Sequence, residues 1–426
     1  MTRFLYTLLI HALLPWAMLH LLWRARRQSD YLRHWGERFG QYGKKACPPE
    51  SVIWIHAVSV GETRASQPLV AALQIRYPKH RFLLTHMTPT GRATSNALFG
   101  DKVTRVYLPY DMPWAVKSFL HHFEPVIGIV METELWPNLV AACRDADIPL
   151  LLVNGRLSER SARRYARFPL LTHNSLRQLS AIAAIGTEDA ERLKRLGAPE
   201  VSVFGNMKFD IVPPPEQRVL GATFRQRIAD RPVFLCASTR EGEESLILDA
   251  WNATVGDGGT ALLVIVPRHP QRFDEVAQLI ESRGLKLQRR SDNQSVAADT
   301  QVWLGDSMGE LFAYYAAAGV NGIAFVGGSL LDFGSQNLIE PCTVGLPVLI
   351  GPSTFNFAAA ARDALNAGAA RQCADAATLV KAASELLGDA EERGRMAQSG
   401  LDFTAQHRGA TEKTLALIEG FIPEAR

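Results

Sequence analysis

The sequence predicts an α/β protein with two domains, each built on a mainly parallel β-sheet covered by helices. Short apolar runs alternate with helical stretches along nearly the whole chain, a pattern typical of parallel sheets with both faces covered. A Pro-rich segment at residues 213–215 interrupts this alternation near the middle of the 426 residues. The alternation then resumes, so two Rossmann-like domains account for the chain.

The amino terminus predicts a membrane anchor over residues 1–27. Residues 4–23 carry no charged side chain and are followed directly by Arg24, Arg26 and Arg27. Twenty helical residues cover about 30 Å, the hydrocarbon thickness of a bilayer. The charge order does not fit a cleaved signal peptide, and the basic cluster places the main body on the cytoplasmic side. Because Pro15 interrupts the run, a spanning anchor and an in-plane anchor both stay open, as does a buried helix of a soluble domain.

We expect an N-terminal Rossmann-like domain over residues 28–212. Its predicted strands are residues 52–58, 82–86, 103–108, 126–131, 150–153, 181–185 and 201–204, with helices such as 64–77 and 135–145 between them. Polar clusters follow these strands. Parallel strands bring their carboxyl ends to one sheet edge, so we expect these clusters to lie together there.

The first cluster is the most informative. Residues 54–64 read WIHAVSVGETR, in which an apolar strand ends at a glycine turn and delivers Glu62 to the start of a helix. A carboxylate at such a strand end is well placed for chemistry in an open α/β fold. Glu62 is therefore our first catalytic candidate, and a glutamate that only caps the helix is the alternative.

The second half predicts a short linker at residues 213–216 and a C-terminal Rossmann-like domain over 217–405. Its predicted strands are residues 233–237, 261–266, 302–304, 323–326 and 347–350, again followed by polar clusters. The sequence holds neither GxGxxG after the first strand nor GxxxxGK[ST], which argues against an ordinary dehydrogenase and a P-loop ATPase. If both sheets direct their clusters at one interdomain cleft, the clusters form a single large site.

Charge and cysteine content narrow the function. The net charge of +3 divides into +10 for residues 1–210 and −7 for the remainder, so the basic half faces an anionic partner. Phospholipid, a phosphorylated substrate and nucleic acid are the candidates, and nucleic acid is disfavoured because no aromatic-interleaved basic motif is present. The five cysteines are scattered without a CxxC pair, so we expect neither disulfides nor a metal site.

Seven segments resemble one enzyme family, the 3-deoxy-D-manno-octulosonic acid (Kdo) transferases. They read WIHAVSVGET, METELWPN, NGRLSERS, GNMKFD, ASTREGEE, PRHPQRF and GGSLLDFGSQNLIEP. The resemblance implies a GT-B fold and transfer of Kdo from CMP-Kdo to a lipid A precursor (lipid IVA) in lipopolysaccharide synthesis at the bacterial inner membrane, without a cofactor. The acceptor would bind the first domain and CMP-Kdo the second. In this architecture the last helix often returns to the first domain, and residues 406–426 are the candidate.

The resemblance assigns three catalytic positions. Glu62 matches the general base, which removes the proton of the acceptor hydroxyl. Glu132 and Lys208 match positions that support the transition state. The open alternatives are a Glu132 that holds an arginine in the core and a Lys208 that is a solvated loop residue.

The donor site would lie after the strands of the second domain, where hydroxyls, guanidiniums and a helix start suit a CMP-sugar. Its candidates are Ser238, Thr239, Arg240, Pro267, Arg268, His269, Met308, Gly309, Glu310, Asn337, Leu338, Ile339 and Glu340, with Glu340 for the ribose hydroxyls and ordinary capping as the alternative. The sequence departs from the family pattern at Gln336, where many members have His, and at residues 320–322, which resemble a short insertion.

The acceptor site has its own pattern. Four arginines recur at the spacing of one helical stripe, which with Arg156 suits lipid phosphates or anionic headgroups: Arg160, Arg163, Arg164 and Arg167. A solvated basic face is the alternative. Two other functions stay open, namely a GT-B-like transferase or epimerase acting on another activated sugar, and a non-catalytic membrane-bound nucleotide sensor.

Overall fold

The computed structural model describes residues 1–26, 28–43, 50–254 and 260–422. Arg27 of the predicted basic cluster, Cys47 and residues 423–426 of the predicted last segment lie outside the described residues. The chain divides into two compact units, of which unit 1 comprises residues 1–210 with 408–426 and unit 2 comprises residues 211–407.

Unit 1 is built on a parallel seven-stranded sheet in the order β3-β2-β1-β4-β5-β6-β7. The strands are β1 Val52–His56, β2 Arg81–His86, β3 Thr104–Tyr107, β4 Pro125–Met131, β5 Leu150–Gly155, β6 Ala181–Ala184 and β7 Ser202–Val203. Each predicted strand is confirmed with its ends within two residues. The order reverses between β1 and β4, and open α/β sheets bind ligands outside the carboxyl ends of the strands at such a switch point.

The helices of unit 1 cover both faces of this sheet. They are α1 Arg3–Ala25, α2 Val60–Ala65, α3 Gln67–Arg76, α4 Pro89–Phe99, α5 Pro113–Phe123, α6 Pro137–Asp145, α7 Glu159–Ala166, α8 Pro169–Arg177 and α9 Thr187–Arg195. Along β1, Trp54 packs with α5 and α6 on one face, and Ile55 packs with α3 on the other. The single helix predicted over 64–77 is wrong, because Ser66 and Pro68 divide the segment into α2 and α3.

Unit 2 contains a second parallel seven-stranded sheet in the order β10-β11-β9-β8-β12-β13-β14. Its strands are β8 Val233–Thr239, β9 Leu262–Pro267, β10 Leu287–Arg289, β11 Val302–Leu304, β12 Gly322–Val326, β13 Val348–Ile350 and β14 Ala370–Gln372. The strands β10 and β14 were not predicted, since edge strands of three residues that include arginine leave no apolar run. The switch point lies between β8 and β12.

The helices of unit 2 again cover both faces of the sheet. They are α10 Pro215–Ile228, α11 Glu243–Thr254, α12 Phe273–Glu281, α13 Leu311–Ala318, α14 Ile339–Thr343, α15 Ala358–Asn366, α16 Ala376–Gly388 and α17 Ala390–Gln406. Pro215 is the first residue of α10 rather than part of an extended linker, because its fixed φ and missing amide hydrogen suit the first turn of a helix.

The last helix, α18 (Ala410–Glu419), belongs to unit 1. Its Ile418 joins the core on the α3 side of the sheet. Asp210 accepts hydrogen bonds from the backbone amides of Gly409 (2.7 Å) and Thr411 (2.6 Å) and so holds the start of the helix. At the other end, Arg76 pairs with Glu419. The carboxyl-terminal residues therefore complete the first unit and not the second.

The first helix, α1, is long and apolar enough to cross a membrane by length and composition. Leu21 is its one buried residue. A buried core helix of a soluble domain would show the opposite burial, so this alternative is excluded for α1.

Candidate active site

Glu62 lies at the start of α2, one turn past the carboxyl end of β1. Its carboxylate accepts hydrogen bonds from the amide of Val58 (2.7 Å) and from the hydroxyl of Ser59 (2.8 Å), and only 8% of the residue is exposed. Ser59 is the N-cap of the helix, so the capping role considered from sequence is real. The same contacts also fix the carboxylate at the switch point of the sheet.

Glu132 and Lys208 reach the same edge from other strands. Glu132 directly follows β4 with a φ of 58°, a left-handed conformation that costs a non-glycine residue about 1–3 kcal/mol. Lys208 lies in the short turn after β7, with its ammonium 3.9 Å from a Glu132 carboxylate oxygen. Its side chain is 16% exposed, so Lys208 is not a solvated loop lysine, and Glu132 pairs with it rather than with a core arginine.

Electrostatics tie the three residues together. Burial, followed by the neighbouring Glu132 carboxylate, raises the pKa of Glu62 to about 7, although the hydrogen bonds from Val58 and Ser59 act against this rise. Burial lowers the pKa of Lys208, and Glu132 opposes that change. A buried carboxyl that titrates near neutral pH suits a general base, because the free base and its conjugate acid are then both accessible.

Several supporting residues were missed from sequence. Ser59 orients Glu62, and its signal was the Ser-x-x-Glu spacing of a capping box. Asn154, at a φ of 52° near the end of β5, accepts from the amide of Met207 and so positions the turn that carries Lys208. Glu134 accepts from the indole of Trp136 (3.0 Å), which holds its carboxylate in place. No sequence pattern predicts the Asn154 contact, because it joins residues 53 positions apart.

In unit 2, the candidates Ser238, Thr239 and Arg240 lie at the carboxyl end of β8. Ser238 has a φ of 57°, and the Thr239 hydroxyl donates to Glu244 (2.7 Å). The Arg240 guanidinium stacks over the Phe333 ring at 4.4 Å. This loop is therefore held in one conformation at the switch point of the second sheet.

The buried carboxylate of Glu243, which was missed from sequence, joins two loops at this switch point. Glu243 accepts from the amides of Arg240 (2.8 Å), Gly328 (2.7 Å) and Leu330 (2.9 Å), which connect the loop after β8 to the loop after β12. The loops approach so closely that a Cβ on Gly327 would lie 2.4 Å from the Ser238 carbonyl oxygen. Glycine is required at that position.

The remaining donor candidates follow neighbouring strands of unit 2. Pro267 ends β9, and the amide of Arg268 donates to the Thr239 carbonyl (3.0 Å), which places this loop beside the Ser238–Arg240 loop. Partial burial and then the nearby guanidiniums of Arg240, Arg268 and Arg272 lower the pKa of His269. The loops after β8 and β9 thus combine into one strongly basic region that suits an anionic ligand.

The helix start at Met308-Gly309-Glu310 already forms hydrogen bonds with other residues of unit 2. Arg290 forms a two-pronged pair with the Glu310 carboxylate at 2.9 and 2.8 Å. Gln217 accepts from the amide of Ala313 and donates to the carbonyl of Gly309. The Ala313 amide is therefore not free to meet a ligand, because α10 packs against this turn. Met308 is half exposed.

The segment 337–340 leads into α14. Asn337 accepts from the amide of Ile339 and donates to the Glu340 carboxylate (3.1 Å), while Leu338 and Ile339 are fully buried. The side chains of Leu338 and Ile339 therefore belong to the core, and only their backbone is left for a ligand.

The two departures from the family pattern lie before and after β12. Gln336 follows the loop after β12, and its side-chain amide nitrogen lies close to Gly328. Residues 319–321 form a short 3₁₀ turn before β12.

The arginine stripe lies on α7 and its C-cap. All of its members are exposed, as is Arg156. Arg163 pairs with Glu159 at 3.6 Å, a weak contact between solvated groups.

Two apolar residues next to the stripe are exposed, a feature missed from sequence: Phe168 is 45% exposed and Leu170 is 50% exposed. Basic and apolar side chains side by side are typical of a membrane-facing surface.

Within residues 1–26, 28–43, 50–254 and 260–422, no group of three or more His, Cys, Asp or Glu side chains is arranged to hold a metal ion. The four cysteines in this part of the chain (Cys143, Cys236, Cys342 and Cys373) are buried and free.

Solved structures show the same architecture at low sequence identity. A glycosyltransferase from Rickettsia africae superposes with a TM-score of 0.57 at 12% identity, covering 89% of this chain and 100% of that chain. MurG from Acinetobacter baumannii superposes with a TM-score of 0.55 at 13% identity, covering 87% and 100%. At these identities the likeness concerns the fold alone, and it confirms the GT-B class predicted from the sequence.

Relatives in sequence are much closer. A family model described as 3-deoxy-D-manno-octulosonic-acid transferase (kdotransferase) matches residues 33–211. The 3-deoxy-D-manno-octulosonic acid transferase of Bordetella pertussis is 41% identical and covers 99% of this chain and 100% of its own length. The enzyme of the same name from Haemophilus influenzae is 38% identical and covers 99% of both chains. The chain therefore belongs to the 3-deoxy-D-manno-octulosonic acid transferase family and is a glycosyltransferase.

Proposed function

We propose that this enzyme transfers Kdo from CMP-Kdo to a hydroxyl of a lipid A precursor, lipid IVA, during lipopolysaccharide synthesis, with Glu62 as the general base. The observation that carries the proposal is the cluster of Glu62, Glu132 and Lys208 at the switch point of the first sheet. It provides one buried carboxylate that titrates near pH 7 beside an ion pair.

In the proposed reaction, the Glu62 carboxylate takes the proton of the acceptor hydroxyl as its oxygen attacks the anomeric carbon of Kdo. The bond from that carbon to the phosphate oxygen breaks, and CMP leaves with the electron pair. A positioned base contributes about 10²–10⁴ to such a rate. Lys208 and Glu132 support the charge that develops during transfer, since a buried cation acts strongly in a site that excludes water.

The donor would bind unit 2 at the basic region formed by the loops after β8 and β9. Arg240, Arg268 and His269 suit the phosphate of CMP and the carboxylate of Kdo, both of which are anions. Glu340 remains the candidate for the ribose hydroxyls, and Met308-Gly309 the candidate for backbone contacts. Glu310 remains a candidate of this pocket, and its pair with Arg290 holds the loop in place.

The acceptor would bind unit 1 through its phosphates. The arginine stripe of α7 and Arg156 are exposed, and the pair of Arg163 with Glu159 is weak at 3.6 Å, which supports their use for an anionic lipid. Helix α1 would attach the enzyme to the inner membrane, with the two units on the cytoplasmic side as the positive-inside rule indicates.

The test is a reconstitution of the full-length chain in detergent with CMP-Kdo and lipid IVA, followed by mass spectrometry of the lipid. We expect the acceptor mass to rise by whole Kdo residues and CMP to be released in equal number. Glu62→Gln is the control, since it should bind CMP-Kdo without transfer. CMP-Kdo binding without any product from the wild-type chain would contradict the proposal, as would transfer from another nucleotide sugar only.

A further inference from the structure

Helix α1 is docked on unit 1 by two side-chain hydrogen bonds near its amino-terminal end. The hydroxyl of Tyr6 donates to Asp111 (2.9 Å), and the hydroxyl of Thr7 donates to Asn138 (3.0 Å). Both acceptors are almost fully buried, at 2% and 5% exposure. A buried carboxylate and amide that lost these partners would carry a desolvation penalty, so the contacts hold α1 against the unit.

One stripe of the helix is less exposed than the rest. The better-buried residues recur at helical spacing, which marks one stripe: Tyr6, Ile10, Leu14, Ala17 and Leu21. Leu21 is only 6% exposed. Near the carboxyl-terminal end, Arg24 stacks over the buried Tyr31 ring at 4.3 Å. The helix of 23 residues is about 35 Å long, and because both of its ends contact unit 1, α1 lies along the unit rather than projecting from it.

The docked helix lies at the same sheet edge as Glu62. Asp111 follows β3 and Asn138 follows β4, and both belong to the loops and helix starts beyond the carboxyl ends of these strands.

The remaining surface of α1 is apolar and exposed. Phe4, Trp16 and Leu19 are 76%, 64% and 65% exposed, and Leu8 and Trp23 exceed half. Arg3 and the arginines at residues 24 and 26 flank this surface at its two ends. Such a helix, apolar on its outer side with cations at both ends, matches the interface of an anionic phospholipid bilayer.

We propose that α1 does not cross the bilayer but lies flat in its cytoplasmic surface, docked along unit 1, and holds the Glu62 edge of the sheet at headgroup level. This inference rests on the proposed membrane association and adds its geometry. A spanning α1 would carry Tyr6 and Thr7 about 30 Å from Asp111 and Asn138 and leave those buried groups without them. A flat α1 keeps all of these contacts and leaves the Glu62 edge of the sheet next to the membrane surface.

The groove beside the first turn allows a direct test. Phe4 and Lys117 both line this groove of about 810 Å³ between α1, α5 and α6, and both are exposed. In inverted inner-membrane vesicles, whose outside is the cytoplasmic face, a short bifunctional maleimide should join the cysteines of Phe4→Cys/Lys117→Cys. The matched control is Phe4→Cys/Ile75→Cys, because Ile75 is exposed on α3, which packs on the opposite face of the sheet.

Labelling from one side of the membrane gives a second readout, which does not depend on the cross-link. A membrane-impermeant maleimide added outside should label Thr2→Cys as readily as Ile75→Cys if α1 lies flat. Cross-linking of the test pair together with labelling of Thr2→Cys is the expected result. Protection of Thr2→Cys until detergent is added, without cross-linking, would overturn the proposal in favour of a spanning helix.

Flotation of the wild-type chain with vesicles of phosphatidylethanolamine and phosphatidylglycerol tests membrane binding separately from the orientation of α1. Flotation with a spanning result keeps the membrane proposal and removes only the flat geometry. Cross-linking without flotation would overturn both, because the helix would then be docked on a protein that does not bind lipid. For the docking contacts, Tyr6→Phe/Thr7→Val should lower the cross-linking yield and raise KM for vesicle-borne acceptor about tenfold with kcat kept.

Discussion

Replacing Glu62 with glutamine tests both the base assignment and the electrostatics behind it. Glutamine keeps the size of the side chain and can still accept from the Val58 amide, but it cannot take a proton. We expect transfer to fall by about 10²–10⁴ while the fold and CMP-Kdo binding persist. In the wild type, kcat/KM should rise with pH through an apparent pKa near 7, because only the ionised carboxylate acts as a base.

The same substitution should change stability with pH in a defined direction. Folding raises the pKa of Glu62 from 4.5 to about 7, so the folded state binds its proton more tightly than the unfolded chain does. The wild type therefore loses stability relative to Glu62→Gln as the pH rises from about 4.5 through 7, and the difference is constant above that. At about 1.36 kcal/mol per pKa unit, the full change is roughly 3 kcal/mol.

The assay is a pH series of transfer rates and of denaturant unfolding in detergent, for the wild type and for Glu62→Gln. Glu134→Gln is the matched control for the loss of transfer, since it removes a neighbouring, partly buried carboxylate that is hydrogen bonded to Trp136 and contributes least to the raised pKa of Glu62. Transfer by Glu62→Gln within tenfold of the wild type would refute the base assignment. A stability difference that is flat between pH 4.5 and 7 would refute the raised pKa.

Four further outcomes follow from the same contacts. Glu132→Gln should move the acidic limb of the pH–rate profile to lower pH, because the Glu132 charge raises the pKa of Glu62; an unmoved limb would contradict their coupling. Lys208→Met should lower kcat about 10²-fold with little change in donor affinity, as measured by initial rates and CMP-Kdo titration. Glu243→Ala should destabilise unit 2 by about 2–5 kcal/mol in denaturant unfolding, since three backbone amides lose their acceptor. Charge reversal at Arg163 and Arg164 should raise the acceptor KM, and an unchanged KM would show that the stripe is only a solvated basic face.

Sequence alone predicted most of the architecture because the dominant signals are local. Apolar runs and their spacing identified the buried strands. A glycine turn after β1 placed Glu62 at a helix start, and the end of the apolar run of β4 placed Glu132. The Pro-rich segment indicated where one sheet gives way to the next, and the motifs indicated the enzyme family. The edge strands β10 and β14 escaped because three residues at a sheet edge bury too little apolar surface to leave a pattern.

Tertiary structure decided what depends on residues far apart in the chain. The pairing of Lys208 with Glu132 and the raised pKa of Glu62 arise because β1, β4 and β7 end at one edge of the sheet. The assignment of α18 to unit 1 depends on Asp210, about 200 residues before it. Hydropathy showed that α1 is apolar, but only its contacts with Asp111 and Asn138 reveal that it lies along the unit. A side chain's environment depends on the partners that folding brings to it, and spacing along the chain does not contain that information.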